Sequence, residues 1–256
     1  MNKILNIYKP LGLTTVQALN VFKEKNPEYQ NLPIAYTGRL DPMAEGVLVF
    51  LAGEKRFEAK KFQKLNKEYT AKILFGFSTD SHDLLGLTKG KSVKKISEEE
   101  VKSTLNQYKG ENKLPLPPYC SYKIDGKPMF HWAHIGELES KDIPVKKMEV
   151  FNIKFEKFYS IPKSELKEYE ESTINKVEGN FRQDKIIKNW NNVLKKSSKD
   201  KFQIVKVKLK VSGGTYIRSI AENLGKKLNS KSFLFHLKRT QVNGFQEEDS
   251  IYISKL

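Results

Sequence analysis

The sequence predicts an α+β protein with a mixed, mainly antiparallel central sheet flanked by helices. Three observations lead there. Strand-length and helix-length patterns follow one another without the strict βα alternation of a doubly wound fold. The stretch "FQIVKVKLKVSGG" alternates Val205, Val207, Leu209 and Val211 with Lys206, Lys208 and Lys210, which gives a strand one dry face and one basic face. "TYIRSIAENLGKKL" sets Ile217, Ile220, Leu224 and Leu228 on one helical stripe.

Taken in order, residues 4–10 ("ILNIYKP") alternate and stop at a proline, as a short strand does. "TTVQALNVFKEK" places Val16, Leu19 and Phe22 at helical spacing behind a threonine cap. Asp41-Pro42 forms a turn, because proline pushes the preceding residue out of helical geometry. "GVLVFLAG" is a continuous apolar run of strand length, "KRFEAKKFQKL" a helix, and "KEYTAKILFGF" a further strand. "ISEEEVKSTLNQYKG" opens with a capping box, Ser97 with Glu100 three residues on, and ends at Gly110. "LPLPPYCSYKIDGKPMF" is proline-rich and then strand-like, and "FHWAHIGEL" reads as a short helix. "KKMEVFNIKFEKF" and "FLFHLKRTQV" are strands. Residues 163–200 stand apart as polar, mixed in charge and poor in aliphatics until "IIKNWNNVLKK"; they read as an insertion between two strands, in part helical and mobile.

The bulk numbers bound the partners. The 256 residues suffice for one large domain or two small ones, each able to bury a core. Lys and Arg number 46 against 30 Asp and Glu, a net charge of +16, which favours a polyanion such as RNA, DNA or an acidic membrane surface. The single cysteine, Cys120, excludes an internal disulfide and suits a reducing cytoplasm. "MNKILNIYKP" is no signal peptide, since its apolar run is too short and ends at proline. No segment approaches the ~20 apolar residues of a membrane span. A cytoplasmic protein with no membrane partner is expected.

Several motifs fail on spacing. "GLTKGKS" is one residue short of a phosphate-binding P-loop. His131 and His134 lie three apart with no Cys or carboxylate cluster nearby, so no metal site is expected. No G-x-S-x-G elbow occurs, and Cys120 lacks an obvious base. What remains is "YTGRLDPMAEGVLVFLAG". Gly38 permits a tight backbone, Pro42 fixes a turn, and a buried strand follows. Asp41 would be pinned at the mouth of that strand, as a catalytic carboxylate should be. The competing reading is an Asp-Pro turn in which Asp41 merely caps.

This stretch resembles the bacterial tRNA pseudouridine synthase family TruB, whose "G-x-L-D-P-x-A-x-G-x-L" run around its catalytic aspartate appears here as "GRLDPMAEGVL". "IYKPLGLTTVQAL" is similar to the family's "KP-x-G-x-T-S" element, with Thr15 in place of the serine. "KEYTAKILFGFSTDSHDLLG", "PPYCSYKIDGKPMF", "SGGTYIRSIAENLGKKL" and "FHLKRTQVNGF" match its further motifs in the right order, so the resemblance covers nearly the whole chain.

The resemblance implies a pseudouridine synthase fold over residues 1–256 and isomerisation of a uridine, at position 55 in the T-arm stem-loop of tRNA, with no cofactor and no metal. Asp41 would be the nucleophile and Arg218 the cation that keeps it ionised. Tyr69 would stack on the target base and is a candidate for moving its C5 proton. Tyr216 and Leu237 would line the pocket wall. Tyr36 stands where the family has a histidine; it can stack on a nucleotide but carries no positive charge. The base must be flipped out to be reached, at a cost of a few kcal/mol, roughly. Lys206, Lys208 and Lys210 are candidate phosphate contacts. Glu45 departs from the family's small polar residue as a surface change. The chain stops at Leu256, so a C-terminal RNA-binding PUA domain is expected to be absent or vestigial, and the protein to act as a monomer. Two other readings stay open: a non-catalytic RNA-binding or tRNA-folding protein on the same scaffold, and a pseudouridine synthase acting on another RNA.

Overall fold

The valine strand lies near the middle of one large sheet in the computed structural model, which describes residues 2–253. In chain order the strands are β1 (Lys3–Lys9), β2 (Ile34–Tyr36), β3 (Ala44–Ala52), β4 (Lys67–Phe75), β5 (Phe77–Thr79), β6 (Thr88–Lys91), β7 (Gly110–Pro115), β8 (Lys123–Ile124), β9 (Lys127–Pro128), β10 (Val145–Pro162), β11 (Lys201–Val211), β12 (Ser232–Val242), β13 (Phe245–Gln246) and β14 (Ile251–Tyr252). The helices are α1 (Thr15–Lys25), α2 (Ala59–Gln63), α3 (Glu98–Asn106), α4 (Met129–His134), α5 (Lys163–Ile174), α6 (Gln183–Lys195) and α7 (Ile217–Lys227). The sheet runs β14-β1-β3-β12-β4-β11-β10-β7, with β2 also on β3 and β13 on β12. β1 with β14 and β3 with β12 are parallel, while the other pairs of this sheet are antiparallel, as the sequence led us to expect.

Alternation along β11 separates two cores. Val205, Val207, Leu209 and Val211 face α7 and α3, meeting Ile217, Ile220, Leu224, Val101 and Leu105. Phe202 and Ile204 point the other way, into a second core with Trp190, Ile186 and Phe233. A third core packs α1 on β1 and β3, with Phe22 against Phe50. The predicted capping box of α3 is present, with Glu100 N bonded to Ser97 Oγ (3.2 Å) and Ser97 N to the Glu100 carboxylate (2.8 Å).

Two local expectations differ. In α1 the buried face is Thr15, Ala18 and Phe22, while Val16 is exposed, because Thr15 turns inward to hold a neighbouring loop. The helix expected over residues 55–65 is a 3₁₀ segment, Gly53–Glu58, followed by the short α2; neither has a side-chain cap to start a longer helix. Residues 163–200 lie between β10 and β11, as expected of the insertion, and contain two packed helices. Ile186, Trp190 and Leu194 recur every four residues along α6 and are buried, as are Leu166 and Ile174 of α5. Trp190 meets Phe77 edge to face at 5.4 Å and Phe233 at 5.4 Å. Trp190→Ala should therefore lower unfolding stability by about 3–5 kcal/mol, read as an earlier urea midpoint with little change in slope.

Candidate active site

The loop between β2 and β3 is fastened from several sides. Gly38 adopts φ +106°, which a residue with a Cβ rarely does. The Thr37 amide donates to the Val49 carbonyl (3.0 Å) and the Gly12 amide to the Pro42 carbonyl (2.8 Å). The Thr15 hydroxyl accepts from Leu40 N (3.0 Å) and donates to Leu40 O (3.3 Å). The Ala44 amide closes on the Asp41 carbonyl (3.0 Å) as β3 begins. Asp41 thus stands at the mouth of a buried strand.

Its carboxylate takes up an arginine fork. Arg218 Nε donates to Asp41 Oδ2 (2.9 Å) and Nη2 to Oδ1 (3.3 Å). The same guanidinium donates through Nη1 to the Ser81 carbonyl (2.9 Å) and through Nη2 to the Tyr119 carbonyl (3.0 Å). Asp83 Oδ2 lies 3.7 Å from Nε. Arg218 is 3% exposed and Asp41 37%, so the cation is fixed inside while the carboxylate keeps an open side. Burial alone would lower the Arg218 pKa, but Asp41 and Asp83 beside it raise it. Burial pushes Asp83 up to about 6 against the pull of Arg218, and Ser81 Oγ (2.6 Å) and the Leu85 amide (3.0 Å) donate to its Oδ1.

Asp41, Arg218, Tyr36, Tyr69, Tyr216 and Leu237 all line one cavity of about 520 Å³. Aromatic walls around one carboxylate suit a flat, polar, uncharged ring, and the volume suits a small organic ligand. Burial pushes the Tyr216 hydroxyl pKa up. A second compartment of about 580 Å³ continues past Asp41, where Thr15, Pro42, Phe130, His131 and Arg182 form part of its lining.

Lys67 and Arg239 are among the cavity residues that escaped the sequence reading. Lys67 lies two positions before Tyr69, so on a strand it shares that face, a signal the period of two supplied. Its ammonium donates to the Gln63 (2.9 Å) and Leu65 (2.6 Å) carbonyls, and burial, then Arg239 and Lys146, lower its pKa to about 8. Arg239, buried on β12, donates to the Val47 carbonyl (2.6 Å). Both cations are buried in the cavity wall with donors held by backbone carbonyls, whereas Arg39 of the same lining is exposed.

Lys206, Lys208 and Lys210 do not join the site. Leu209 pairs with Tyr69, so the lysines between the valines project from the opposite face of the sheet. There Lys206 and Lys208 pair with Glu156 (2.9 and 3.1 Å) and Lys210 with Glu68 (3.1 Å). Glu45 is no simple surface change. It accepts from Tyr8 OH (2.9 Å) and lies 3.4 Å from His236 Nε2; these contacts lower its pKa against the effect of burial. Among the described residues no three His, Cys, Asp or Glu side chains group as a metal site, and no helix is long and apolar enough to cross a membrane.

Comparison with known proteins adds the following. The family model described as "TruB family pseudouridylate synthase (N terminal domain)" matches residues 28–170, more than half of the chain. The tRNA pseudouridine synthase B of Clostridium tetani is 29% identical, over 100% of this chain and 73% of its own length. That of Malacoplasma penetrans is 28% identical over 96% of this chain and 87% of its own. Among solved structures, one of a Cbf5-Nop10-Gar1 complex superposes with a TM-score of 0.59 at 18% identity, covering 97% of this chain and 51% of that one. An H/ACA RNP bound to a substrate RNA containing 2'-deoxyuridine gives 0.57 at 17%, covering 98% and 50%. The chain spans about half the length of those two, and the likeness is one of fold.

Proposed function

The chain belongs to the TruB family of pseudouridylate synthases, isomerases that make pseudouridine in tRNA, and from that premise we propose that its target is uridine 55 of the T-arm and that Asp41 opens the reaction. The observation that carries this reading is the Asp41 carboxylate, gripped by Arg218 at 2.9 and 3.3 Å on the wall of a tyrosine-lined cavity.

The chemistry conserves every atom. An Asp41 oxygen bonds to C1′ of the ribose as the N1–C1′ bond breaks, leaving uracil as an anion. The freed base turns in the cavity until C5 faces C1′. C5 then displaces the carboxylate, and the proton on C5 ends on N1. Arg218 holds the carboxylate in place before the attack and again after it is released. Tyr69 stacks against the ring as it turns, and its hydroxyl can relay the proton, giving its own to N1 of the uracil anion and then, as phenolate, taking the one from C5. Tyr36, Tyr216 and Leu237 exclude water from the anion. A stacked base cannot enter the cavity, so the nucleotide is extruded first. The exposed Arg39 of the cavity lining supports binding of the strand beside the extruded nucleotide.

The test is to incubate the protein with unmodified tRNA transcripts and map pseudouridine at single-nucleotide resolution. One new pseudouridine is expected, in the T-arm, with no cofactor or metal added. Modification confined to another arm would overturn the site assignment.

A further inference from the structure

The α5–α6 hairpin touches the catalytic groove at two separate points. Its connecting turn meets the loop ahead of α1, where the Glu178 amide donates to the Gly12 carbonyl (3.0 Å). Gly12 adopts φ +100°, and a Cβ there would fall 2.1 Å from the Lys176 carbonyl oxygen, so the two backbones are in direct contact. The Gly12 amide in turn donates to the carbonyl of Pro42, the residue after Asp41.

The second point is Arg182, at the start of α6. It adopts φ 66° and ψ 26°, a left-handed conformation that residues other than glycine seldom keep without a compensating contact. The contact is a fork on Asp80, with Nη1 2.9 Å from Oδ2 and Nη2 3.4 Å from Oδ1. The guanidinium also lies over the Tyr119 ring, 4.6 Å from its centre, and the Tyr119 hydroxyl donates to Asp80 (3.4 Å). Asp80 precedes Ser81, and the carbonyls of Ser81 and Tyr119 are the backbone acceptors of Arg218. One side chain from outside the motifs therefore ties together the two peptide segments that aim the catalytic-site arginine.

We propose that the 163–200 hairpin is a brace for the Asp41–Arg218 pair and that Arg182 is its positioning residue, acting through Asp80 and Tyr119. The inference rests on the reading of Asp41 as the reacting group. Arg182 also lines the second compartment, where it could meet RNA. Its fork, however, is already spent on a carboxylate that is 11% exposed, which leaves little charge for a phosphate.

The experiment is single-turnover pseudouridine formation on a tRNA transcript by Arg182→Ala, Arg182→Lys and Asp80→Asn, with binding measured across salt concentrations. For Arg182→Ala the rate at saturating enzyme should fall roughly 10- to 100-fold, as a misplaced reacting group would cause. Affinity for tRNA and its salt dependence should stay unchanged, and Arg182→Lys should recover part of the rate. Asp80→Asn, which keeps the shape and removes the charge, should lose as much, and the double variant no more than either; this arm decides the matter if Arg182→Ala fails to fold. An unchanged rate at saturation overturns the brace. So does a loss confined to affinity, with the salt slope lower by about 0.7–0.9, which would make Arg182 a phosphate contact. Asp41→Asn is run alongside: if it retains turnover, the reading beneath the brace fails; if it is inert while Arg182→Ala is unimpaired, only the brace fails.

Discussion

Asp41→Asn is expected to lower turnover by ~10⁴-fold or more while leaving tRNA binding within about threefold of the parent. An amide oxygen is neither charged nor nucleophilic enough to bond to C1′. The shape of the side chain is kept, and the loop that carries it is held by Thr15, Gly12 and Val49 rather than by the carboxylate. Arg218 keeps its two carbonyl acceptors and Asp83 nearby. Because the Asp41 side chain is 37% exposed, the stability lost with its charge should be only about 1 kcal/mol. Pseudouridine yield from a transcript and a gel-shift titration check the two halves of the expectation. Undiminished turnover would end the nucleophile assignment.

Arg218 gives the second large effect, on folding and chemistry together. Arg218→Ala removes a buried cation and strands the Asp83 carboxylate and two carbonyls, so a loss of about 3–5 kcal/mol is expected. Arg218→Lys keeps the charge but not the fork. It should fold and turn over at least ~100-fold more slowly, since a single ammonium cannot meet Asp41, Ser81 and Tyr119 at once. The sign of the pH dependence follows from Asp83. Its folded pKa, about 6, lies above its unfolded value, so the folded state holds the proton more tightly. Asp83 therefore favours folding most at low pH, and that contribution declines as pH rises through the interval up to about 6. Without the arginine's pull the folded pKa climbs, and in Arg218→Ala the decline extends to higher pH. Urea midpoints taken from pH 4 to 8 on both proteins measure it; identical profiles would refute the coupling.

Much of this site could be read before the structure, because its parts lie in short motifs whose local geometry is set by neighbours in the chain. Asp41 is one: Gly38, Pro42 and the apolar run after it are all within a dozen residues. Ile217 to Leu228 is another, where all four predicted positions are buried and fix which way Arg218 faces. What could not be read depends on partners far away in the chain. Nothing near Asp83 announces that it will lie 3.7 Å from Arg218. The charge of Lys206, Lys208 and Lys210 was legible, but the face they occupy is decided by how β11 pairs with β4. The hairpin of residues 163–200 concealed its packing because its buried positions are sparse and set among polar residues, one of them Glu170. That carboxyl is buried with no hydrogen-bond partner among the described residues, and burial, then Glu171, raises its pKa to about 8.

The parallel pairing of β3 with β12 has one more consequence. It is the seam where the first fifth of the chain meets its last strands, and the Asp41–Arg218 contact bridges 177 residues beside it. A contact of such long range forms late, after most of the polypeptide has been made and ordered. A nascent or half-folded chain therefore holds an aspartate and an arginine but no working pair. The first productive encounter with substrate waits for the topology to close.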